Sequence, residues 1–177
     1  MNSKIESKIR NRCDAIVNII LKTQPDYYKY KNNSIYSEHL SIVETMIGAA
    51  IWYLPQNNEL WTGYISEKLY DELRLSNNPK DVKITKDHEY PRKIAARDLF
   101  CTDWTKVENK TDYVVKLYYN KFGKYNLVQS AENKTLVKYQ KINIFKNPKD
   151  SYNRANIKLK KINIEILNEL KNKDLSG

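Results

Sequence analysis

Apolar residues recur every three or four positions through much of the first 54 residues, and that period commits the opening third of the chain to helix. Ile5, Ile9, Cys13, Ile16, Val17 and Ile20 share one face of a first amphipathic helix. Pro25 is expected to end it, because an interior proline removes an N–H and its ring clashes with the carbonyl four residues back. Leu40, Val43, Ile47, Ala50, Ile51 and Leu54 define a second helix, the most apolar part of the chain and the expected core helix. Ser41 and Glu44 have capping-box spacing, and Glu44 reads as a solvated or capping carboxylate. Pro55 stops this helix. The intervening DYYKYKNNSIY reads as a tyrosine-rich loop and a candidate nucleic-acid contact.

Composition narrows the class. A chain of 177 residues is long enough to bury a real core, and one domain (1–177) is the expectation. No run approaches the roughly 20 apolar residues of a membrane span. The N-terminal MNSKIESKIRNRCDAIVNIILK lacks the apolar core and cleavage site of a signal peptide. Cys13 and Cys101 fit neither a zinc spacing nor a disulfide framework, so a cytoplasmic setting is expected and no membrane partner. With four glycines the chain has neither a GxGxxG nor a GxxxxGK[ST] loop. Thirty-one Lys and Arg against 21 Asp and Glu give a net charge of +10, and there are 14 tyrosines. Excess positive charge favours a polyanion through counterion release, and tyrosines stack on bases.

The remaining signals alternate between helix and short strand. PQNNELWTGY reads as a loop. Ser66 is placed to cap SEKLYDELRL, with Ile65, Leu69 and Leu73 on one face. After the turn SNNPKD, the run VKIT reads as a strand that ends on Asp87 and His88. RKIAARDLF, after Pro91, suits a short helix. Thr111 can cap YVVKLYYNKF, with Gly123 beyond its end. YNLVQ reads as a strand, and Ser130 as the cap of AENKTLVKYQK. FKNPKDSYN reads as loop, and ANIKLKKINIEILNEL begins extended and finishes helical. The fold class is therefore α+β, mostly helical.

Two pieces carry chemistry. DHEYPRK sets an acid and a histidine at a strand end before a proline and a basic segment. LVQSAENKTLVKYQ runs from a strand into a helix with Asn133 near its start. Together they resemble the HNH, or ββα-metal, endonucleases, over roughly residues 82–141. The resemblance implies a restriction-type or phage-type DNA endonuclease that hydrolyses phosphodiester bonds with one divalent cation, magnesium being expected. It implies that Asp87 holds the metal and His88 is the general base. Asn133 would be a further metal ligand or would pin the loop that bears His88. Adjacent strand residues point to opposite faces, so Asp87 and His88 can serve different partners. Arg92, Lys93 and Arg97 would bind backbone phosphates. Many members supply a further His or Asn beyond the middle Asn; here KYQKINIF offers Gln140 and Asn143.

Residues 1–80 form an expected helical region for recognition or dimerisation, and 142–177 a C-terminal extension. Cleavage of both strands would favour a homodimer, with the helix Leu40–Leu54 as its core. A PD-(D/E)xK site ranks lower, because Glu108-Asn109-Lys110 lacks a strand and Asp112 and Lys116 lack the spacing. His39 reads as a surface residue. The rival from another class is a non-catalytic basic nucleic-acid-binding protein, for which Asp87 and His88 are silent.

Overall fold

The computed structural model describes residues 3–172. In chain order its main elements are α1 (Ser3–Tyr30), α2 (Ser37–Trp52), β1 (Trp61–Ser66), α3 (Glu67–Leu75), β2 (Ile84–His88) and α4 (Arg92–Cys101). They continue with α5 (Lys110–Leu117), β3 (Tyr125–Gln129), α6 (Ser130–Tyr139), α7 (Pro148–Arg154), β4 (Leu159–Lys161) and α8 (Ile164–Lys171). The fold is α+β and mostly helical, as the periodicities imply. The chain forms two compact units, each built from two separate stretches of sequence. One unit is Met1–Leu60 with Tyr90–Lys124; the other is Trp61–Glu89 with Tyr125–Gly177.

The first unit is helical. The face expected of α1 is the one it buries, from Ile9 through Ile20. The helix does not stop at Pro25, however, but runs to Tyr30. Long-range contacts hold the extra turns where local propensity would end them. Gln24 donates to the carbonyls of Phe100 and Thr102 at 2.7 and 2.9 Å, and Tyr27 stacks on Phe100 at 4.4 Å. The tract read as a tyrosine-rich loop is thus partly helix, with Tyr30 and Tyr36 in ring contact at 4.1 Å.

Glu44 is also not solvated. It is buried, accepting from the Tyr27 hydroxyl at 2.8 Å and pairing with Arg97 Nε at 3.0 Å. Burial and the Glu44 carboxylate push the Tyr27 hydroxyl pKa well up, so Tyr27 stays a donor. Asn109, not Thr111, caps α5, accepting from the Asp112 N–H. Gly123 follows a π-helical turn, Tyr118–Phe122, with φ −86°, so it is not a left-handed cap. What demands glycine there is space: an added Cβ would lie 2.7 Å from the Tyr118 ring.

The second unit is a four-stranded mixed sheet, ordered β2-β3-β1-β4, with helices against it. β2 and β3 are antiparallel, β1 and β3 parallel, β1 and β4 antiparallel. β1 lies in the stretch read as loop. Gly63 sits at φ +84°, and the β1–β3 register shifts between Trp61 and Ile65. Such a bulge breaks the alternation by which a strand is recognised. Ser66 caps α3 as expected, accepting from the Leu69 N–H at 3.2 Å. Gln129 takes the N-cap position of α6, one residue before Ser130, and the Glu132 carboxylate accepts its N–H at 3.1 Å. α7 replaces the loop expected at FKNPKDSYN, with Asn147 as cap and Pro148 in its first turn. Val128, Leu136, Tyr152 and Ile157 form a core cluster on one face of the sheet.

Gly48 is where α2 and α4 approach most closely. A Cβ at this position would lie 2.5 Å from the Arg92 carbonyl oxygen, a backbone atom that cannot swing away. Gly48→Ala is therefore expected to destabilise the protein by about 1–3 kcal/mol despite alanine's higher helix propensity. Urea denaturation checks this; a gain in stability would mean that the two helices separate freely.

Candidate active site

β2, β3 and α6 make an antiparallel pair of strands leading directly into a helix. The pairing runs Ile84 with Gln129, Thr85 with Val128, Lys86 with Leu127, Asp87 with Asn126 and His88 with Tyr125. The side-chain period of two sends Thr85, Asp87, Asn126 and Val128 to one face and Lys86, His88, Tyr125 and Leu127 to the other. The first face meets α6 and α7. Asp87 and His88, neighbours in sequence, thus face opposite ways.

Asp87 is only 3% exposed. Its Oδ2 accepts from the Tyr152 hydroxyl at 2.5 Å, and Gln140 Nε2 lies 3.0 and 3.2 Å from its two oxygens. Burial raises its pKa to about 6; the bonds from Tyr152 and Gln140 oppose the rise and nearby Glu89 adds to it. Burial and the Asp87 charge push the Tyr152 hydroxyl pKa strongly up. Beside this pair, Asn126 is fully buried. Its Oδ1 accepts from Thr62 Oγ1, and its Nδ2 lies 3.4 Å from Glu89 Oε1. A cleft of about 710 Å³ opens here, lined by Glu89, Asn126 and Tyr152 together with Lys149 and Lys158.

His88 lies on the other face, half-buried, with its ring 6.3 Å from that of Tyr125. Lys86 Nζ sits over the same tyrosine at 4.6 Å. Burial lowers the His88 pKa to about 4, and the Lys86 charge lowers it further. His88 is therefore a neutral imidazole across the neutral range and can accept a proton.

Asn133 lies in the first half of α6, half-buried. Seven residues separate it from Gln140, so it stands about 10 Å along the helix on the same stripe. The donors to Asp87 are Gln140 and Tyr152, where the sequence pairs Asp87 with Asn133. Gln140 was legible as a residue in the right region, whereas Tyr152 lies on a helix read as loop. Arg92, Lys93 and Arg97 are together on α4, in the first unit, and each has a partner there. Arg92 lies over Trp52 at 5.6 Å, Lys93 donates to Ser41 Oγ at 2.6 Å, and Arg97 pairs with Glu44.

Among the described residues no group of three or more His, Cys, Asp and Glu is gathered for a metal. Magnesium does not require one: it keeps several waters and is commonly held by one or two carboxylates. Asp87 and Glu89 are two carboxylates of that kind, while Asn126 and Gln140 turn their NH2 groups toward them, and a carboxylate has more lone pairs than Asp87 uses. Comparison with protein-family models, with curated proteins and with solved structures finds no match.

The opposed shifts of the neighbours have a consequence for stability. Asp87 rises from 3.8 to about 6 on folding, so its contribution is fully present at low pH and is lost as pH rises through that window. His88 falls from 6.5 to about 4, so its contribution is lost as pH falls through nearly the same window. Each is worth up to roughly 3 kcal/mol, and in the wild-type chain the two nearly cancel. Relative to wild type, Asp87→Asn should gain stability as pH rises from 4 to 6.5, and His88→Asn should lose it. Urea midpoints across that range test this, and parallel profiles for all three proteins would refute it.

Proposed function

We propose that the second unit is a metal-dependent phosphodiester hydrolase of the ββα kind, acting on DNA. The observation that carries the reading is the β2–β3–α6 arrangement. An acid–histidine pair ends its first strand, with the acid turned toward the C-terminal end of the helix. Asp87 and Glu89 would hold a magnesium ion, with water completing its shell. That ion, when bound, supplies positive charge against the phosphate and the leaving oxygen. His88, neutral at physiological pH, would take the proton from the attacking water. Tyr152 and Gln140 orient the Asp87 carboxylate, as partners of metal-ligating groups commonly do. The net charge of +10 supports a polyanionic substrate. Arg92, Lys93 and Arg97 are proposed phosphate contacts; to serve, they must share or exchange their partners on α2.

One observation favours a second reading, a basic nucleic-acid-binding protein without catalysis. The Asp87 carboxylate accepts from Tyr152 and Gln140, which is how a purely structural buried acid is satisfied.

The experiment is incubation of the purified protein with supercoiled plasmid, with magnesium or with EDTA, beside His88→Ala and Asp87→Asn. The expected result is magnesium-dependent strand cleavage, lowered about 100-fold or more by His88→Ala and lost in EDTA. DNA binding that weakens with salt, with no cleavage by any of the proteins, would replace the hydrolase by the binding protein.

A further inference from the structure

The outward face of α2 carries a regular apolar stripe. Ile35, on the turn before the helix, is 79% exposed, Ile42 59%, Met46 65% and Tyr53, at its C-cap, 78%. With His39 and Ala49 between them, these residues repeat at alternating intervals of four and three, the seam of a two-helix coiled coil. The buried face of the same helix is a different set: Glu44, Ile47, Gly48 and Ile51. The stripe is therefore surplus to the core of the first unit.

We infer that this stripe is a homodimer interface, in which α2 packs antiparallel against α2 of a second copy. The inference stands on α2 and the residues that flank it and does not depend on the hydrolase reading. Three observations select a second copy as the occupant. First, the stripe is self-complementary. About a two-fold axis at position 44, Ile35 meets the second copy's Tyr53, Ile42 meets its Met46, and His39 meets its Ala49. Large thus faces small in the layer where two large groups would crowd, and every pairing occurs twice, as an isologous interface requires.

Second, charge permits it. Residues 32–67 contain no Lys or Arg, in a chain with 31 of them. The stripe thus brings no positive charge of its own to the meeting of two copies that each carry a net +10. Third, the area reaches the lower bound for a stable interface when the stripe is fully covered. The exposed fractions of the four large side chains amount to roughly 600 Å² per copy, or about 1,200 Å² per pair, the lower bound of stable specific interfaces. Trp52, also exposed, borders the stripe.

Sedimentation velocity over a dilution series of the full chain tests the proposal. Wild type should be a dimer that dissociates on dilution. Met46→Lys, which buries an unpaired charge at the seam, should weaken it at least tenfold. Leu75→Lys alters an equally exposed apolar residue outside the stripe and should leave it unchanged. Circular dichroism of Met46→Lys should match wild type, and so should its melting at dilutions where wild type is monomeric, since the side chain makes little of the core. A monomer at every concentration, or a dimer indifferent to Met46→Lys, would overturn the inference. The register has its own test. With exposed Cys101 changed to Ser, Ile42→Cys with Met46→Cys should give a disulfide-linked dimer, and Ile42→Cys alone should not. Linkage through Ile42→Cys alone would replace the antiparallel register by a parallel one.

Discussion

The ladder between β2 and β3 is the constraint on which the second unit depends. It joins His88 to Tyr125 across a long excursion of chain, and that excursion, from Tyr90 to Lys124, belongs to the first unit. A long closed segment adds little to the equilibrium cost of closure, because that cost grows only with the logarithm of length. It matters more for the order of events, since non-local pairing must wait for the ends to meet. β1 extends the dependence, since it pairs with β3 on the side away from β2 and brings β4 with it. Each strand that positions the candidate site is thus paired with one distant in sequence.

Once the ladder is formed, its period of two determines the chemistry available. Asp87 is taken to the buried face and His88 to the other by nothing more than adjacency. Burial then acts on both in the direction that removes charge, raising the acid and lowering the imidazole. An acid in that state is poorly accommodated by its surroundings alone, and Tyr152 and Gln140 are what make it tolerable. A cation would bring the charged form back into favour. The hydrogen-bond network and the metal reading are therefore two responses to one desolvated carboxylate, which is why a cleavage assay and not geometry separates them.

Much of this was legible along the chain. The buried face of α1, the existence of α2, the Ser66 cap, the strands β2 and β3 and the helix after Pro91 follow from period, cap and turn signals. The strand end at Asp87 and His88 follows from the same signals. What local reading missed was fixed at long range. Pro25 does not end α1 because Phe100, 75 residues away, gives Gln24 and Tyr27 partners. Glu44 is buried because Tyr27 and Arg97 meet it, and no spacing within α2 announces either. β1 was hidden by its own bulge at Gly63. α7 was different: Asn147 followed by Pro148 is a helix start in plain view, and reading it as loop left Tyr152 out of the site.

The distribution of charge along the chain assigns the two proposed activities to different segments. Residues 32–67 carry Glu38, Glu44, Glu59 and Glu67 and no basic residue, so the rest of the chain holds a net +14. A surface that gathers a polyanion and one that gathers a second positively charged copy have opposite requirements. The first needs unneutralised Lys and Arg, and the second needs their absence. A random scatter of 31 basic residues would rarely spare 36 consecutive positions, and the spared stretch is the one with the apolar stripe. Screening acts on the two surfaces in opposite directions as well, since salt weakens attraction to a polyanion and weakens repulsion between like-charged copies. Ionic strength is therefore the variable that would separate the two proposed activities.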